Sequence, residues 1–222
     1  MTASNTPLPV VVLISGQGSN LQALIDGQLN GELNIDIRAV ISNTPDAPGL
    51  ERARRAGIAT DVCDHRGYAE RADYDARLRD RVAQYAPGLV VLAGFMRILT
   101  PVFVEPFQGR LINIHPSLLP DFRGLDTHRR ALQAGVAEHG CSVHFVTPEL
   151  DAGPVIVQAR VPVHPDDDET SLERRVQAAE HRAYPQAVAW IAEARVQWQD
   201  GEILFEGQPC TTPPQLSLPI AD

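Results

Sequence analysis

Short apolar runs alternate with helix-period segments along the first half of the chain. Pro9 to Ser15 is a continuous apolar run of strand length, and Leu21 to Ile25 opens a helical pattern behind a glycine-rich turn. Ile35 to Ser42 predicts a second strand, Gly49 to Ala56 a helix, Ala69 to Tyr85 a longer amphipathic helix, and Leu89 to Ala93 another buried strand. Strands alternating with helices predict parallel β-α-β units with right-handed crossovers. Such sheets place ligands at the carboxyl ends of their strands.

Leu111 to His115 predicts a further strand, followed by a Pro-, Arg- and Gly-rich loop from Pro116 to Asp126 and a helix from Thr127 to Ala134. Gly140 to Val146 and Pro154 to Val163 predict an antiparallel pair joined by a turn that carries Asp151. The acidic run Asp166 to Glu169 leads into a helix whose Thr170, Ser171, Leu172 and Glu173 match a capping box, so that run predicts helix-dipole compensation and not a metal site. Pro185 is expected to kink or stop this helix near Tyr184. Two short apolar runs then predict an appended strand pair, and TTPPQLSLPIAD a poorly ordered tail. The expected fold is α/β and Rossmann-like: a mostly parallel twisted sheet with helices on both faces and an antiparallel extension in the C-terminal half.

Composition narrows the class. With 222 residues, 44% of them hydrophobic and 21% charged, the chain suits one substantial core. No apolar run is long enough for a bilayer, and MTASNTPLP does not resemble a secretory leader, so the expected location is the cytoplasm. A net charge of -9 disfavours sequence-independent binding to nucleic acid. Three widely spaced cysteines, Cys63, Cys141 and Cys210, fit neither a disulfide framework nor a paired-thiolate metal site.

The chemistry concentrates in LINIHPSLLP. Residues two apart on a strand share a face, so Asn113 and His115 present an amide and an imidazole side by side at a strand end. The amide can donate to a carbonyl oxygen that becomes negative, and the imidazole can exchange a proton near neutral pH. Asp151, in the Leu150–Gly153 turn, is placed to support that imidazole, and His144 is strand-borne near the site. Gly16 to Asn20 can seat a phosphate between strand and helix, or form a plain tight turn with Ser19 as helix cap. Leu21 stands where a dinucleotide fingerprint has its third glycine, and the second strand ends in Ser42 and Asn43 without an acid for a ribose diol, which favours a phosphate-bearing small molecule over NAD. Gly94 to Leu99 combines apolar bulk with one Arg, as a wall for a flat heteroaromatic ligand or as plain core. Gln177 and Glu180 share one helical edge, where a carboxylate is either a solvated flank or a partner for a substrate amine.

Together VVLISGQGSNLQALI, LAGFMRIL, INIHPSLLP, HGCSVHFVTPELDAGPVI and RVQAAEHRAYP resemble the phosphoribosylglycinamide formyltransferases, folate-dependent enzymes of purine synthesis, over nearly the whole chain. The loop LPDFRGLDTHRRAL departs from that family's pattern, with Asp121, Arg123 and Asp126 where Lys, Pro and His are usual. The resemblance implies one formyltransferase domain over 1–222, with a phosphate-binding half at 8–100, a catalytic and folate-binding half at 101–195, and an extension at 196–222. It implies transfer of the formyl group of 10-formyltetrahydrofolate to the amine of 5'-phosphoribosylglycinamide. Gly18, Ser19 and Asn20 would hold the phosphoribosyl part and Glu180 the amine. Arg71, Met96, Arg97, Ile98 and Leu99, with Asn113, would contact the folate, while His115 acts as acid and Asp151 raises its pKa. The implied partners are small molecules, with no metal, nucleic acid or membrane, for a monomer or homodimer. The nearest rivals are formyltransferases acting on methionyl-tRNA or a sugar nucleotide, and a formyltetrahydrofolate deformylase. A nucleotide-binding module or nicotinamide oxidoreductase would leave Asn113, His115 and Asp151 without a role.

Overall fold

Alternate residues of β1 (Leu8–Ile14) go to opposite faces of the sheet, and both faces are covered, which is why the strand is apolar throughout. Val10, Val12 and Ile14 join a core with α1 (Ser19–Leu29), α2 (Gly49–Arg55) and α6 (Glu169–Ala192). Val11 and Leu13 join a second core under α3 (Arg71–Ala83) and the short α4 (Pro101–Val104). The computed structural model describes residues 6–199 and 201–216.

The other strands are β2 (Ile35–Ser42), β3 (Ala59–Val62), β4 (Leu89–Leu92), β5 (Leu111–His115), β6 (Glu138–Phe145), β7 (Val155–Pro162), β8 (Val196–Gln199), β9 (Glu202–Phe205), β10 (Gln208–Pro209) and β11 (Gln215–Leu216); α5 spans Thr127–Ala134. The main sheet has the order β11-β7-β6-β5-β4-β1-β2-β3. From β3 to β5 across the sheet the pairing is parallel, and β6 then runs antiparallel to both β5 and β7. The chain leaves β1 toward β2 and β3, then returns to β4 and β5 on the other side. A crevice therefore opens beyond the carboxyl ends of β1 and β4.

Three expectations need correction. Helix α6 runs through Pro185. Pro costs about 3 kcal/mol in a helix interior, but the turns beyond it bury Ala187, Val188 and Trp190, and each large apolar side chain returns about 1.5–3 kcal/mol. The capping box sits two residues upstream of the expected one: Ser171 N donates to Asp168 Oδ1 at 2.7 Å, and Asp168 N donates to Ser171 Oγ at 3.0 Å. Asp167 fixes that choice, because it also accepts from Ser171 Oγ and pairs with Arg175 at 2.6 Å. Finally, Gln215 and Leu216 are an ordered edge strand on β7, while 217–222 lie outside the described residues. The appended strand pair is β8 and β9, extended by β10 into a small sheet.

One side chain ties the two layers together at the sheet centre. The hydroxyl of Tyr184, fully buried on α6, donates to Leu92 O at 2.8 Å and lies 3.2 Å from Ile112 O, bridging β4 and β5.

Candidate active site

Asn113 and His115 lie with Leu111 on the α3 side of β5, at its carboxyl end. The antiparallel partner β6 sets His144 directly across from Asn113 and Ser142 across from His115. His144 is buried, and its imidazole is held down to about 4, chiefly by burial. A neutral ring that donates from Nδ1 to Phe145 O at 2.9 Å leaves Nε2 free to accept from Asn113 Nδ2 at 3.3 Å. This contact orients the Asn113 amide and leaves its second N–H for a ligand.

His115 faces oxygens at both ring nitrogens. Nδ1 is 3.5 Å from Asp151 Oδ2, and Nε2 is 3.0 Å from the carbonyl of Phe122. Only the doubly protonated ring has a donor for each. Asp151 is itself nearly buried, accepts from Gly124 N at 3.0 Å and lies 3.7 Å from His144 Nε2. Its backbone is left-handed, with φ 48, in the turn between β6 and β7. That turn closes so tightly that a Cβ on Gly153 would stand 1.8 Å from Phe145 O.

The loop from Pro116 to Asp126 is anchored from beneath. Ser142 Oγ donates to Ser117 O at 2.7 Å and accepts from Leu119 N, while Gln158 Nε2 donates to Leu119 O at 2.9 Å. Arg123, one of the departures from the family pattern, pairs with Glu149 at 3.1 Å and so links this loop to the Asp151 turn.

Two further walls meet at the crevice. After β1, Gly18 takes φ 69 and serves as N-cap of α1 with no side-chain cap, leaving first-turn amides open. Gln177 Nε2 reaches Ser19 Oγ at 3.3 Å, and Asn20 Nδ2 donates to Glu180 Oε2 at 2.8 Å. Burial pushes the Glu180 carboxyl up, and the Asn20 bond pulls it back. After β4, Met96 N donates to Ser15 Oγ at 2.8 Å and Arg71 reaches Ile98 O at 3.4 Å. The Met96 and Ile98 side chains are exposed, whereas Leu99 is core and Arg97 lays its guanidinium over the Tyr74 ring at 4.8 Å.

The expected residues thus fall into three groups, each following the carboxyl end of a strand of the main sheet or packed against such a segment: Asn113, His115 and Asp151; Gly18, Ser19, Asn20 and Glu180; and Arg71 with Met96 to Leu99. Sequence reasoning missed the Phe122 carbonyl and the Gly124 amide, since a backbone group leaves no residue-type signal. Among the described residues, no group of three or more His, Cys, Asp and Glu side chains could hold a metal ion, and no helix is long and apolar enough to cross a membrane.

Buried neutral histidines make stability depend on pH. Burial, then the neighbouring His128 and His115, hold His139 down to about 4, like His144. An unfolded His titrates near 6.5, so between that value and 4 the unfolded chain binds more protons, and folding free energy falls as pH falls through that window. At about 1.4 kcal/mol per pKa unit, the denaturation midpoint should drop measurably between pH 7 and 5, and His139→Leu should flatten the slope. An unchanged slope would contradict the neutral assignment.

Comparisons with known proteins place the chain in a family. The formyl transferase family model matches residues 8–188. The chain is 53% identical to a phosphoribosylglycinamide formyltransferase of Escherichia coli over 206 residues, covering 93% of this chain and 96% of that protein. It is 51% identical over 184 residues to the trifunctional purine biosynthetic protein adenosine-3 of Drosophila melanogaster, covering 82% of this chain and 14% of that longer protein. A solved phosphoribosylglycinamide formyltransferase from Coxiella burnetii superposes with a TM-score of 0.90 at 48% identity, covering 95% of this chain and all of that one.

Proposed function

We infer the reaction from one premise: the chain belongs to the formyl transferase family. It is a folate-dependent phosphoribosylglycinamide formyltransferase, which moves the formyl group of 10-formyltetrahydrofolate to the amine of 5'-phosphoribosylglycinamide in purine biosynthesis. The proposal extends to the residues that carry the reaction and to the cytoplasm as its location. The observation that carries it is the cluster at the carboxyl end of β5, where His144 holds the Asn113 amide and Asp151 lies 3.5 Å from His115 Nδ1 and 3.7 Å from His144 Nε2.

The donor fits this crevice. Of the exposed large apolar side chains Leu29, Met96, Ile98, Val102, Leu125 and Leu150, four lie on the segments that flank Asn113, His115 and Asp151. They offer apolar surface to a flat ring system, and Arg71 offers charge to a carboxylate-bearing tail. The folate supplies the activated formyl group. The chain's own residues do the rest. Asn113 gives its free N–H to the formyl oxygen as that oxygen becomes negative, and a protonated His115 stabilises the same charge. Asp151 supplies the counter-charge and holds the ring. The uncharged substrate amine must lose a proton while the folate nitrogen gains one, and His115 is the group placed for that exchange. Gly18, Ser19 and Asn20 seat the phosphoribosyl part, and Glu180, aligned by Asn20, takes a polar group of the same substrate. Holding amine and formyl carbon together contributes several kcal/mol more.

The test follows 10-formyltetrahydrofolate consumption by absorbance with and without 5'-phosphoribosylglycinamide. Loss that requires the ribonucleotide is expected. Equal loss without it would mean hydrolysis to formate and would overturn the transferase reading.

A further inference from the structure

Three arginines, Arg52, Arg54 and Arg55, lie on the last turn of α2, and their pairings differ. Arg54 and Arg55 both pair with Glu51, at 3.7 and 3.1 Å. No carboxylate among the described residues pairs with Arg52. Its half-buried side chain turns instead to the phosphate turn, where Nε donates to Gln17 O at 2.8 Å and Nη1 to Gln22 Oε1 at 3.2 Å. The preceding carbonyl is held by the same helix, since Gly49 N donates to Gly16 O at 3.0 Å. The two chains approach so closely that a Cβ on Gly18 would lie 2.9 Å from Gly49 Cα.

In a trans peptide, C=O and the next N–H point in opposite directions. Binding the Gly16 and Gln17 carbonyls to α2 therefore aims the Gln17 and Gly18 amides away from α2, and no described group accepts from either. Arg52 also borders a groove of about 810 Å³ between α1 and α6, together with Ser19, His181 and Arg182. Burial and then the charge of Arg52 hold the His181 imidazole below its ordinary range.

We propose that Arg52 is the positioning residue of the phosphate seat: it orients the Gly16–Gly18 turn through the Gln17 carbonyl and supplies an uncompensated positive charge for the phosphate of the acceptor. The proposal rests on the reading of the chain as a ribonucleotide formyltransferase. A charge-assisted hydrogen bond contributes about 1.5–3 kcal/mol, or roughly ten- to a hundredfold in an equilibrium constant. Arg52→Gln should raise KM for 5'-phosphoribosylglycinamide by that factor, while kcat at saturation stays within about threefold and KM for 10-formyltetrahydrofolate is unchanged. Arg52→Lys keeps the charge but not the two-acceptor fork, and should recover part of the loss. Inorganic phosphate, titrated calorimetrically into both proteins, should bind about tenfold more weakly to Arg52→Gln. An unchanged KM, a parallel rise in both KM values, or equal phosphate binding would overturn the proposal. Arg52-dependent phosphate binding in a protein without ribonucleotide-dependent formyl transfer would uphold the seat and reject the reaction.

Discussion

His115→Ala is expected to lower kcat for formyl transfer by about a thousandfold, the middle of the range for loss of a positioned proton-transfer group, with KM for either substrate changed only a few-fold. The imidazole is nearly buried between Asp151 and the Phe122 carbonyl, so water cannot readily take its place with the same charge and direction. Asn113→Ala should cost less, about a hundredfold, because it removes one neutral donor from the developing oxyanion. The control is urea denaturation of the same variants. Loss of activity at an unchanged midpoint assigns the effect to chemistry, whereas kcat within tenfold of wild type for His115→Ala would remove the residue from the mechanism.

A comparable effect is expected from a substitution that touches no reacting group. In Gly153→Ala the new methyl would meet the Phe145 carbonyl oxygen at 1.8 Å, and both atoms belong to backbone. The turn has to shift, since forced overpacking of this kind costs about 1–3 kcal/mol or more. Asp151 sits two residues away with φ 48, and its carboxylate reaches His115, His144 and Gly124 N only from that turn. Turnover should fall at least a hundredfold, and the pH profile should come to resemble that of Asp151→Asn. Full activity with a normal profile would show that the carboxylate is not needed where the fold puts it.

The contrast between these two substitutions also marks what could be read from sequence. That Asn113, His115 and Asp151 lie together was legible because the proposed chemistry calls for those side-chain types, and the alternation of LINIH puts the first two on one face. Their partner His144 was legible as strand-borne, yet its pairing with Asn113 depends on the register between β5 and β6, a non-local fact. The parallel sheet followed from its apolar runs, but β3, with the sequence ATDV at the sheet edge, has too little apolar pattern to announce a strand. Pro185 misled because a local rule was outweighed by burial further along the helix. Arg52 left no signal, since an arginine in GLERARR looks like its solvated neighbours until the helix is docked on the turn.

Helix α6 carries Gln177 and Glu180 against Ser19 and Asn20 and, one turn on, Tyr184 against the carbonyls of Leu92 and Ile112. Those carbonyls belong to the strands that lead into the apolar wall and to Asn113. One helix therefore touches both the proposed seat of one substrate and the frame of the proposed site for the other. A displacement of α6 as a unit would carry both reference points in the same sense, so that the gap between amine and formyl carbon would take up the difference of the two displacements instead of their sum. On the proposed placement of the two substrates, alignment would tolerate motion of that helix because its errors are shared.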